Sequence, residues 1–350
     1  MTAKRNGKIE LLRFIFCICV LLYHINKDLW GGEKLFCDNL SFFSHGRTGV
    51  EFFFLVTGYL TAKSAAKLVS ADKKSPIGQS TFDFMVKKIK SVLIPHFILC
   101  GLICILLIAN GKLDFTLFLD KLPSLFFLQT TGLSTKYFLA VEWYLASMFF
   151  ALVIIYPLLL WNFDVTSKII APVGSSIMIG YMISKYGNLP SSIETDPILT
   201  PNNLRALAVV LLGVFCYVVS EKIKETEFTK IQRYALIAVE NICWIASLLY
   251  IVSDLNGKYE GIVVYVLALA VSLTFSRNFE CKLYNNSFVY YLGRISLTVY
   301  LSQNVARNFV QFYFDTSNVM YVVLVTALTI LLGVIVDFVC QRINKRKTAK

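Results

Sequence analysis

The chain has 350 residues, 56% of them hydrophobic and only 16% charged. Soluble domains carry about 45–50% apolar and about 25% charged residues, so a soluble globular fold is excluded. The formal net charge is +12; in a chain this apolar the placement of basic residues matters more than their sum, and no nucleic-acid partner is expected.

Apolar segments recur near 9–26, 48–69, 91–110, 141–161, 168–184, 204–220, 234–253, 259–275, 288–306 and 319–340. Most are long enough to cross a bilayer as helices, and little polar sequence separates them. The predicted fold is all-α: one polytopic membrane bundle of about ten transmembrane helices. It forms a single domain over 1–350, with a core over about 8–340 and a short basic tail, 341–350. The start, MTAKRNGKIE, runs into the first helix without a small-residue cleavage site, so no cleaved signal peptide is expected. The stretch 113–133 holds Pro123, Gln129 and Gly132 and reads as interfacial or re-entrant.

Loop charges set the orientation. With the N-terminus in the cytoplasm, the internal segments 1–8, 63–90, 162–168, 220–233, 276–286 and 341–350 hold 22 of the 34 Lys and Arg residues. This positive-inside bias places both termini in the cytoplasm, in agreement with an even number of spans. The external loop 186–203 contains neither Lys nor Arg.

Of nine cysteines, Cys17, Cys19, Cys100, Cys104, Cys216, Cys243, Cys281 and Cys340 fall in or beside apolar segments, and Cys37 lies in an external loop. No CxxC pair occurs, so neither a disulfide framework nor a zinc site is expected, and no metal is predicted. Buried cysteine acts as a small hydrophobe.

The first segment, IELLRFIFCICVLLYHIN, carries Arg13 and His24. Their separation turns a helix to within about 20° of three full turns, so both point the same way, roughly 16 Å apart along the axis. Arg13 lies toward the cytoplasmic end and His24 toward the outer end. Ionisable residues inside a span face protein or water and commonly mark function. Each residue taken singly also fits an interfacial position, with Arg13 reaching the inner headgroups. Glu10 stands three residues before Arg13 and suits a local ion pair. A lone histidine without metal partners suits general acid–base work. His96, after Pro95, is expected at the inner interface. His45, in the turn before the second span, is a weaker second candidate.

Arg13 and His24 form an R-x10-H pattern on the first helix. Further along stand GRTGVEFFFLVTGYLTA (46–62), FMVKKIKSVLIP (84–95), EWYLAS (142–147) and GRISLTVYLSQN (293–304). Together and in this order, these elements resemble the acyltransferase-3 family of integral membrane O-acyltransferases, over about residues 8–340. Gly49, Val50, Phe52, Phe53, Gly58 and Tyr59 match its second-helix signature. Thr57 stands where serine is usual, and Lys87, Lys88 and Lys90 stand where arginines are common.

The resemblance implies transfer of an acyl group, usually acetyl from cytoplasmic acetyl-CoA, to a hydroxyl of a surface or lipid-linked glycan. His24 then serves as general base or acyl carrier, and Arg13 contacts phosphate or a developing oxyanion. Lys87, Lys88, Lys90 and Arg294 suit the CoA phosphates, although plain inner-face anchoring explains the lysines equally well. Arg47 and Glu51 are expected to pair with each other, or Glu51 to orient the histidine. Glu142, Trp143 and Tyr144 suit an acceptor platform or an aromatic belt. Ser296, Tyr300 and Gln303 form a polar stripe that either lines a cavity or bonds helices together. The expected setting is a bacterial cytoplasmic membrane, with membrane lipid, the saccharide acceptor and polysaccharide synthesis or export proteins as partners. Two competing readings are a transporter or flippase for a lipid-linked sugar and an assembly anchor in a polysaccharide complex.

Overall fold

The computed structural model describes residues 5–30, 43–71, 76–133, 136–190, 199–276 and 284–348. Cys37, Cys281 and residues 191–198 of the loop 186–203 lie outside them. In chain order the helices are α1 (Gly7–Trp30), α2 (Gly49–Ser70), α3 (Ile77–Ala109), α4 (Phe115–Lys121), α5 (Trp143–Trp161), α6 (Phe163–Val165), α7 (Ala171–Tyr186), α8 (Pro201–Glu225), α9 (Lys230–Val252), α10 (Glu260–Ser276), α11 (Ser287–Tyr313) and α12 (Asn318–Thr348). A π-turn over Thr166–Ile170 joins α6 to α7. All ten predicted segments are therefore helical, and no strand occurs among the described residues.

Among the described residues nine helices are long and apolar enough to cross a membrane. The tenth, α11, is the most polar. Its Ser296, Thr298, Ser302, Gln303 and Asn304 are buried. In a bilayer such groups are stable only when turned onto protein, so α11 runs inside the bundle between α1, α3 and α12. The lipid-facing exterior is apolar: Ile105, Ile177, Ile242, Leu249 and Leu331 stand exposed.

Two contacts align α1 with α11. Gly293 lies against Glu10, and Arg307 binds Asp28. The two helices are therefore parallel. α12 runs back along α11, with Gly333 against Val299 and Asp337 beside Arg294. The start of α1 and the end of α12 thus sit at one end of the bundle. Gly58 and Gly213 place the backbones of α2 and α8 in direct contact, as small residues do between membrane helices.

Two boundaries differ from expectation. α3 begins at Ile77 rather than near 91, because 77–90 continues as an amphipathic helix, with Gln79 bonded to Asp83 one turn on (2.9 Å). Pro95 and His96 consequently stand well inside the helix. His96 is fully buried and not interfacial. The stretch 113–133 turns into the bundle and buries Gln129 and Thr130; Asn203 Nδ2 donates to the Thr130 carbonyl at 2.8 Å.

Candidate active site

α1 rests on α2 and the turn before it through Phe16, Cys19 and Tyr23, which meet Gly49 and Gly46. It rests on α11 through Glu10, Cys17 and Asp28. At 100° per residue, Arg13 and His24 fall between these two contact faces. Both side chains open into the gap between α2 and α11.

At the inner end, Arg13 Nη1 stands 3.4 Å from Glu10 Oε2, the local pair that the spacing suggests. Arg13 keeps 36% of its side chain exposed. Lys88 on α3 and Tyr144 on α5 lie within its electrostatic reach. Lys88 extends its ammonium over the Phe84 ring, while Lys87 and Lys90 stand exposed. Arg294 is held 3.2 Å from Asp337 and lies over the Tyr291 ring.

At the outer end, the His24 ring meets the edge of Tyr23 at 5.3 Å. Neither ring nitrogen has a hydrogen bond among the described residues. Lys27 and Arg307 are its charged neighbours. The contacts of Glu10 with Gly293 and Asp28 with Arg307 put Gln303 and Asn304 at the depth of His24. Gln303 leaves Oε1 without a partner among the described residues.

The polar stripe of α11 is mostly occupied with holding structure. Ser296 donates to the Gly293 carbonyl (2.8 Å), Tyr300 to Val141 (3.0 Å) and Asn304 to Phe138 (3.1 Å). The last two bonds fasten the start of α5 to α11. Tyr144 is buried among Phe53, Phe54 and Tyr300.

Arg47 and Glu51 do not pair with each other, and Glu51 does not contact the histidine. Arg47 binds Glu260 through Nε (3.1 Å) and Nη2 (2.8 Å). Glu51 accepts from Nε of Arg205, and both are almost fully buried. The Arg205 guanidinium lies 5.3 Å from the Trp143 ring centroid. Glu260 also accepts from the Leu189 amide (2.8 Å) and neighbours His45. Two acids thus balance two arginines, as burial in low dielectric requires. Sequence reasoning missed Arg205 and Glu260. Both fall at the outer starts of predicted spans, at the depth already assigned to Arg47 and Glu51. That match of depth and opposite charge was the available signal.

Glu142 is fully buried and bonded to His96. It offers nothing to a ligand at an outer interface, because the start of α5 is drawn inside the bundle.

Fold and site together define a polytopic membrane protein with an ionisable stripe turned into its interior. The chain belongs to the acyltransferase-3 family: the family model, described as an acyltransferase domain, matches residues 6–338. Neither a curated protein nor a solved structure matches the chain. The protein is a membrane acyltransferase.

Proposed function

We propose that the protein moves an acetyl group from cytoplasmic acetyl-CoA to a hydroxyl of a surface or lipid-linked glycan, in a bacterial cell membrane. The observation that carries this reading is the Arg13–His24 stripe, which faces the α2–α11 gap with a histidine ring free of hydrogen bonds among the described residues. A sugar hydroxyl is a poor nucleophile at neutral pH and needs a base within hydrogen-bond reach. His24 supplies it, acting on the hydroxyl directly or by first taking the acyl group. Arg13 and Lys88 at the inner mouth suit the phosphates of the donor. The roughly 16 Å between Arg13 and His24 is then crossed by the extended pantetheine arm.

The test compares surface glycan from a strain lacking the protein, complemented with the wild type or with His24→Ala. The O-acetyl signals in its NMR spectrum should disappear with His24→Ala while the glycan is still exported. Unchanged acetylation would refute the mechanism. Loss of export would favour a transporter.

A further inference from the structure

The fully buried triad of His96, Cys100 and Glu142 has no part in that reaction. His96 and Cys100 lie four residues apart on α3, on one face of the helix. Glu142 reaches them from the turn that opens α5. Their donor atoms all lie within 4.8 Å of one another. Nε2 of His96 stands 3.1 Å from the Leu125 carbonyl, an acceptor only, and therefore donates to it. Nδ1 is left with its lone pair, and that lone pair faces Oε1 of Glu142. Two acceptors in contact need a positive centre between them, either a proton or a metal ion.

We infer that the triad is a zinc site. Sγ of Cys100 stands 3.7 Å from His96 Nδ1 and 3.8 Å from Glu142 Oε1. Ligand atoms on a tetrahedral zinc with ordinary bond lengths are separated by roughly 3.6 Å. Only the directly bonded His96–Glu142 pair has to open to admit the ion. Oε2 of Glu142 is buried and has no partner among the described residues, so it is available as a fourth donor atom. The Leu125 carbonyl supplies the outer hydrogen bond that orients zinc-binding histidines. A thiolate, a carboxylate and a neutral imidazole sum with Zn2+ to zero, which suits a site deep in a bilayer. Binding displaces the proton of the Cys100 thiol and the one shared between His96 and Glu142. The ion would tie α3, the Leu122–Phe126 turn and the start of α5 together. That is the same stretch whose Phe138 and Val141 carbonyls meet α11 near the depth of His24.

The test uses the full chain in detergent, without a polyhistidine tag. Wild type should carry about one zinc per chain. Cys100→Ser and His96→Gln should lose it, and Cys104→Ser, altered one turn further along α3, should keep it. Exchange with Co2+ should give a thiolate-to-cobalt absorption band that Cys100→Ser abolishes. A zinc-free wild type without that band overturns the proposal, and the triad then holds a proton in the metal's place. Retention of full zinc by Cys100→Ser overturns it too. Should the variants fail to fold, X-ray absorption on the wild type decides. One sulfur at about 2.3 Å from zinc supports the site, and a shell of only nitrogen and oxygen sinks it.

Discussion

Two polar regions share the outer half of this bundle, and they handle charge in opposite ways. In the cluster of Arg47, Glu51, Arg205 and Glu260, each charge is met by its opposite and nearly all are buried. On α1, His24 has aromatic and cationic neighbours but no hydrogen bond among the described residues. A closed ion-pair network has its donors and acceptors already committed and is suited to holding α2, α8 and α10 together. An uncommitted imidazole facing the interior is suited to proton transfer. The sharpest way to break this contrast is His24→Ala. It should lower acyl transfer by about 100- to 10,000-fold, the usual scale for a general base. The thermal midpoint in detergent should stay near that of the wild type. A large drop in that midpoint would place His24 among the structural residues.

The reverse pattern is expected from the ionic cluster. Glu51→Ala leaves the Arg205 guanidinium buried without its acid, which costs about 3–5 kcal/mol of stability. Activity should fall because the protein unfolds, and surviving folded protein should keep its kcat. The double variant Glu51→Leu with Arg205→Met should recover much of the loss, since replacing a buried ion pair by apolar residues is often neutral. Chemical unfolding of the three proteins measures the loss and its recovery. Full stability of Glu51→Ala together with lost turnover would move Glu51 to the chemical side.

The helices and the α1 stripe were legible because each depends on local pattern. Hydropathy marked all ten segments, and an eleven-residue spacing is enough to put Arg13 and His24 on one face. The partners of Glu51 and Arg47 were not legible, because both come from helices more than 150 residues further along the chain. Composition cannot tell which of several charges at one depth will meet. The burial of His96 was hidden for a related reason. Hydropathy began the third span near 91, whereas the helix starts fourteen residues earlier, so a mid-helix residue looked like an end. The cluster of His96, Cys100 and Glu142 was not legible either, because cysteine spacing alone does not report a carboxylate from another helix. Its third member, Glu142, stands 46 residues beyond His96.

A smaller effect separates two lysines on α3. Lys88 is half-buried beside Arg13, while Lys90 is exposed. If the inner mouth binds donor phosphates, Lys88→Gln removes one charge-assisted contact and should raise the KM for acetyl-CoA roughly tenfold, with kcat little changed. Lys90→Gln should leave both parameters within about twofold, as surface charges contribute little. Equal effects of the two variants would mean that general inner-face charge, rather than a local site, attracts the donor.

The smallest expected change probes the border between the two regions. Tyr300 lies in the gap that His24 faces, yet its hydroxyl is committed to the Val141 carbonyl at 3.0 Å. Tyr300→Phe keeps the ring contacts with Phe53 and Tyr144 and removes only that bond. The loss should be about 1 kcal/mol of stability, the net worth of a typical hydrogen bond. The start of α5 stays fastened by Asn304, which donates to Phe138, so turnover should fall little. A fall in kcat comparable to that of His24→Ala, at unchanged thermal midpoint, would show the hydroxyl acting on substrate. The uncommitted stripe would then extend from α1 onto α11, and the line between structural and chemical polarity would have to be redrawn through Tyr300.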